Sequence, residues 1–288
     1  MITFNAVPRE SHVLGLATHG YHKIHYLEWG DPQSEKVVLC LHGFSRNGRD
    51  FDYLAQDLAL KGYRVICPDM PGRGKSDWLV NPLDYNYPKH ASEILTLLAR
   101  LNVEKVDVVG TSMGGILGMV MASFPESPLD RVVMNDVGPF IPSGPQQRIR
   151  EYLGLYPTFK MEDKARGYLK QLLAPFGPYT SEQMDHAMEH SYFLNKGSEY
   201  QLAYDPNILV NFKGEDVDLW VMWEKVELPI LLIRGEKSEL LTLNCVDRMM
   251  EKKNVSFVEF PNIGHAPALN SPSQIHTIVE WLEAGRKI

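Results

Sequence analysis

Six short apolar runs, at 37–41, 63–67, 106–109, 132–134, 230–233 and 255–260, alternate with segments of helical periodicity. No other feature constrains the fold as much. A strand buried on both faces reads as a near-continuous apolar run, and a helix between two such runs returns the chain so that they pair in parallel. The helical segments are 53–60, 91–101, 116–123, 244–250 and 274–282, the last opened by Ser271 as cap and Pro272 at its first position. An earlier segment, 22–29, alternates before Gly30-Asp31-Pro32 and is expected to add an antiparallel strand at one sheet edge. The expected class is α/β: a mostly parallel central sheet flanked by helices.

The rhythm breaks between about 138 and 226, where no strand-like run is evident and Pro, Gly and Tyr accumulate around amphipathic stretches at 146–155 and 165–173. Residues 216–223 would place Trp220 and Trp223 on one helical face. An insertion after the strand ending at Asp136 overhangs the carboxyl edge of the sheet, where α/β sites form. Residues 1–137 and 227–288 are therefore expected to form the core domain, and 138–226 a helical cap over a substrate pocket. At 288 residues the chain can bury the core this requires. A formal charge of −7 argues against a nucleic-acid partner. Three cysteines without CxxC spacing argue against a disulfide framework or a zinc site, and favour a reducing compartment. Met1-Ile2-Thr3-Phe4-Asn5 does not begin a basic-then-apolar leader, and no run is long enough to span a membrane, so a cytoplasmic location is expected. Oligomeric state leaves no mark on the sequence.

The candidate chemistry begins at Gly110-Thr111-Ser112-Met113-Gly114-Gly115, a serine between glycines where a strand turns into a helix. That is the sequence of a nucleophile elbow, which exposes a hydroxyl above a helix N-terminus. Leu41-His42-Gly43-Phe44 follows another central run, and acyl transfer needs N–H donors aimed at the oxygen that becomes negative. The expected oxyanion donors are the amides of Met113 and Phe44. Gly264-His265-Ala266-Pro267 follows the last strand and offers His265 as general base. His22 and His25 lie on the expected edge strand, and His186 and His190, four apart, lack the glutamate of His-Glu-x-x-His. Those four read as packing or surface groups, with no metal expected. Gly74-Lys75-Ser76 ends like a phosphate-binding loop, but the first glycine of that motif would stand where Asp69 is.

These elements, together with Pro68-Asp69-Met70-Pro71-Gly72-Arg73-Gly74-Lys75-Ser76-Asp77, make nearly the whole chain resemble the α/β-hydrolase fold superfamily in its serine hydrolase branch. The resemblance implies an α/β-hydrolase fold with a cap and no cofactor. It leaves the substrate open, because esterases, thioesterases, lactonases, carbon–carbon bond hydrolases, aminopeptidases and hormone receptors share these motifs. A serine nucleophile sets the chain apart from the dehalogenases and epoxide hydrolases that use aspartate. In most relatives the triad acid is the aspartate of a Gly-x-x-Asp turn, which here reads Gly235-Glu236-Lys237-Ser238 with Glu239 one place late. Asn135-Asp136-Val137-Gly138-Pro139 resembles the turn of small esterases related to YbfF, which place the acid after the earlier strand and carry serine in the later turn. Asp136 is thus the favoured acid and Glu239 the alternative. The function implied is hydrolysis of a small carboxylic ester, thioester or lactone through an acyl-enzyme, with a small-molecule acyl substrate as partner. Alternatives are a carbon–carbon bond hydrolase of dienone-type substrates, served by Arg148, Arg150 or Arg166, and a hydrolase-like ligand sensor.

Overall fold

The computed structural model describes residues 7–285, so the opening Met1 to Asn5 and the last three residues of the expected core lie outside it. Eight strands form its main sheet: β1 (Arg9–Ala17), β2 (Gly20–Trp29), β3 (Val37–Leu41), β4 (Arg64–Pro68), β5 (Val106–Thr111), β6 (Leu129–Asn135), β7 (Ile230–Gly235) and β8 (Val255–Phe260). Their spatial order is β1, β2, β4, β3, β5, β6, β7, β8. From β4 to β8 every pairing is parallel, and β2 runs antiparallel to both of its neighbours. The helices are α1 (Asp52–Leu60), α2 (Tyr87–Arg100), α3 (Met113–Ala122), α4 (Ser143–Leu155), α5 (Glu162–Leu173), α6 (Ser181–Glu189), α7 (Trp220–Trp223), α8 (Leu243–Met249) and α9 (Pro272–Ala284).

Successive residues of a strand face opposite sides of a sheet, and here both sides are covered. Leu39 and Leu41 of β3 pack with Ile94 and Leu97 of α2, Ile116 of α3 and Val246 of α8. Val38 and Cys40, one step out of phase, pack with Leu54 and Leu58 of α1 and Ile275 and Ile278 of α9. Double burial explains why the central strands read as unbroken apolar runs rather than alternating ones.

Two expectations change. The segment 22–29 is not the edge strand, because β1 lies outside it in a hairpin register that pairs Ala17 with Gly20. β1 was unreadable because Leu14 and Leu16 point to solvent, so its apolar residues mark no buried face. The segment between β6 and β7 is not purely helical: Thr158–Phe159, Tyr200–Leu202 and Tyr192–Leu194 form a three-stranded sheet, and Phe140–Ile141 pairs with Val217–Asp218. Strands of two or three residues are too short to show a period. The stretch 216–223 is accordingly strand then a single helical turn, with Trp223 buried in the main core and Arg248 stacked 3.7 Å above the Trp220 ring. Leu153, Leu169, Leu173, Met188 and Tyr204 of the intervening segment form a small apolar cluster together with Leu79 and Tyr85 from the loop after β4.

Candidate active site

β5 ends at Thr111 and α3 begins at Met113, so the chain turns from strand to helix through Ser112, whose φ is 52° and ψ −115°. A side chain in such a backbone costs on the order of 1–3 kcal/mol, and the surroundings must hold it there. Glycines make that possible. A Cβ on Gly110 would stand 2.4 Å from the Gly114 carbonyl carbon, and one on Gly114 would stand 2.0 Å from the Leu41 carbonyl oxygen. The elbow is thus pressed directly against the end of β3. The Ser112 amide donates to the Asn135 carbonyl at 2.9 Å, which ties the turn to β6 as well.

Ser112, His265 and Asp136 come together. The Nε2 of His265 lies 3.0 Å from Ser112 Oγ, and its Nδ1 lies 2.7 Å from Asp136 Oδ2. Asp136 sits just past β6, fully buried, with φ of 59°. Its Oδ1 accepts the Gly235 N–H at 2.8 Å, and its Oδ2 also accepts the Ser238 hydroxyl at 2.6 Å. The serine at the more usual position of the acid therefore donates to the carboxylate that stands in its place. Glu239 is exposed and ion-paired with Arg148, and the imidazole's Nδ1 is taken by Asp136 instead. Arg166 pairs with Asp185 and Arg150 is exposed, so none of the three arginines is set beside Asp136. Asn135, fully buried, donates through Nδ2 to the Pro267 carbonyl at 2.8 Å and anchors the histidine loop to the same strand end.

The loop after β3 lies on the other side of the serine, with a Cβ on Gly43 falling 3.9 Å from that of Ser112. Met113 opens α3, so its N–H has no partner within the helix. Among the described residues neither it nor the Phe44 N–H donates to a backbone carbonyl. Two residues that carried no expectation from the sequence hold this loop. His42 is buried beneath it, its Nδ1 2.7 Å from the Gly43 carbonyl and its Nε2 accepting the Met70 N–H at 2.9 Å. Burial lowers its pKa to about 4, so the ring is neutral, with the proton on Nδ1. Arg73, also buried, donates from Nε to the Phe44 carbonyl at 2.8 Å and lies over the Phe44 and Tyr85 rings. Burial lowers its pKa to about 10, which leaves it charged at neutral pH. The family-like run from Pro68 to Asp77 was visible in the sequence, but the contact it makes was not.

Ser112 opens on two clefts. One runs past His265 and is walled by Tyr152, Leu153, Leu173, Phe176 and Tyr179 with Arg46 and His186. The second lies toward Met113, Ile141, Ile149 and Phe212. Both are built from the sheet domain and the 138–226 segment together. The Ser112 hydroxyl thus lies between two mostly apolar clefts.

The sequence model described as the alpha/beta hydrolase fold matches residues 36–272. The chain belongs to that family. This α/β hydrolase is 42% identical over 283 residues to the 3-hydroxybutyrate-oligomer hydrolase of Cupriavidus necator, an alignment covering 94% of this chain and 96% of that protein. Among solved structures, a protein of Rickettsia typhi described as a candidate hydrolase superposes with a TM-score of 0.89 at 34% identity, covering 97% of this chain and 99% of its own. An α/β hydrolase from Novosphingobium aromaticivorans gives 0.83 at 30% identity, covering 96% and 99%. The protein is a hydrolase. Among the described residues no helix is long and apolar enough to cross a membrane.

Proposed function

We propose that this hydrolase cleaves short ester oligomers of a hydroxy acid of the 3-hydroxybutyrate kind through an acyl-enzyme on Ser112. The observation that carries the substrate class is the 42% identity, over almost the full length of both chains, to a hydrolase named for such oligomers. The apolar cleft agrees with a chain of small methyl-bearing ester units. Residues 138–226 act as a cap that closes this cleft over the core of 1–137 and 227–288.

The distances support this chemistry. His265 Nε2 takes the Ser112 proton as Oγ attacks the ester carbon, and Asp136 fixes the imidazole with its proton on Nδ1 and stabilises the imidazolium. The Met113 and Phe44 amides receive the oxyanion. The hydroxy-acid alcohol leaves with the proton from Nε2, and water, deprotonated by the same nitrogen, frees the bound acyl group.

Linear 3-hydroxybutyrate trimer, incubated with the wild type and Ser112→Ala and followed by mass spectrometry, tests both parts. The wild type should release dimer and monomer, and the variant should lose kcat by a factor on the order of 10⁶. Trimer left intact by an enzyme that still hydrolyses p-nitrophenyl butyrate would reject the substrate class. Turnover in the variant would reject the nucleophile.

A further inference from the structure

Asp52 opens α1 with its side chain fully buried, and its Oδ2 lies 3.1 Å from His186 Nε2 and 2.8 Å from a guanidinium nitrogen of Arg49. His190 follows the last turn of α6, four residues beyond His186, and the two imidazoles meet edge to face with centroids 4.8 Å apart. One ligand atom from each of Asp52, His186 and His190 falls within 4.8 Å of the others. A step of four residues puts both rings on one side of a helix. The missing glutamate had argued against metal binding by this pair, but the carboxylate comes from a different helix.

We propose that Asp52, His186 and His190 form a binding site for one divalent transition-metal ion of the zinc type. Zinc takes imidazole nitrogen and carboxylate oxygen at about 2.0–2.1 Å, which sets neighbouring donors in a tetrahedron about 3.4 Å apart. The separation of His186 from Asp52 already suits that spacing, and His190 closes the remaining gap by side-chain torsion. Two nitrogen donors favour zinc, copper or nickel over magnesium and calcium. Arg49 opposes a cation from 2.8 Å off Oδ2, yet both Asp52 oxygens are buried without a hydrogen bond of good geometry, so the carboxylate keeps lone pairs for a ligand bond. His186, Arg49 and Tyr53 also line the cleft that runs past His265, so the site borders it. The ion joins α6 of the inserted segment to α1 of the sheet domain.

Untagged protein, stripped with a chelator and dialysed, is titrated with Zn²⁺ by calorimetry, and its Tm is recorded with and without one equivalent. Saturation at one ion per chain and a rise in Tm are expected, with Mg²⁺ producing neither. Affinity should fall at least tenfold in His190→Gln and in Asp52→Asn, and stay unchanged in His276→Gln, a surface histidine paired with Glu280. His190 is only partly buried, so its variant reports on the site even if the Asp52 variant fails to fold. No saturable binding by the wild type, or equal affinity in His190→Gln, overturns the proposal. The readout needs no substrate, so its outcome is separate from that of the trimer assay.

Discussion

Asp136 leaves β6 with its backbone N–H donating to the Ile233 carbonyl of β7 at 2.8 Å, so residues just past either strand reach the same place. That adjacency explains how a carboxylate can move from the turn after β7 to the end of β6 and still meet the histidine. Ser238 then fills the vacated position with a donor to Oδ2 instead of a second negative charge. The expected outcome for Asp136→Asn is a fall in kcat of about 10⁴-fold, because the amide's donor would favour the wrong imidazole tautomer. Glu239→Gln should stay within about twofold of wild type, since removing an exposed ion pair changes little. Steady-state kinetics on one activated ester checks both, and equal losses in the two variants would contradict the assignment. Ser112 and His265 were legible as candidates because an elbow and a Gly-His loop are local strings. Which carboxylate lies against the imidazole, Asp136 or Glu239, depended on which strand lies beside β6, a fact of topology that no local string contains.

At the scale of elements, the parallel strands were legible because both of their faces are buried, and α2 and α9 because each presents an apolar stripe to the sheet, whereas α3 is apolar and buried nearly all round. What escaped was β1, in which only Gly15 is buried, and the two- and three-residue strands between β6 and β7. The crossing of α3 over β3 was only partly legible: the glycines marked a tight turn, and the structure supplies what they are tight against. Gly114→Ala should therefore lower the urea midpoint and activity together, since its methyl group would meet the Leu41 carbonyl rather than a movable side chain. A cost of about 1–3 kcal/mol is expected for such overpacking. Wild-type stability in that variant would mean the close approach is relieved at no cost. Arg73 acts on the neighbouring loop. Arg73→Met should lower kcat on the activated ester more than it raises KM, because the Phe44 carbonyl loses its Nε donor and the adjoining amide loses its aim.

Across the whole molecule, several histidines beneath the site are folded into places that favour the neutral ring. His42 has a pKa of about 4 because burial outweighs the help of the Gly43 carbonyl and the Asp69 charge. His90 is pushed well below its ordinary value by burial and then by the positive charge of Arg73. In the unfolded chain both would titrate near 6.5. Above that pH neither state binds the proton, and the full stability is present. Between about 6.5 and 4 the unfolded chain takes up protons that the folded one refuses, so stability falls as the solution is acidified. His42 alone then contributes a loss on the order of 3 kcal/mol by pH 4, at about 1.4 kcal/mol per unit of depression. Asp69 works in a lower window. Burial would raise its pKa, but the hydrogen bond and charge of His25, with the Lys75 and Gly48 amides, hold it below the ordinary carboxylate value. Its contribution is therefore present above about pH 4 and is lost only as the pH falls further. Urea unfolding at half-unit steps from pH 7.5 to 4.5 should show a declining midpoint, and His42→Gln should be less stable at pH 7 but shallower in slope. A wild-type midpoint that is flat across that range would mean these rings are protonated in the folded enzyme. The loop carrying Phe44 would then rest on a charged His42 that donates from both nitrogens, a state in which Nε2 could no longer accept the Met70 amide.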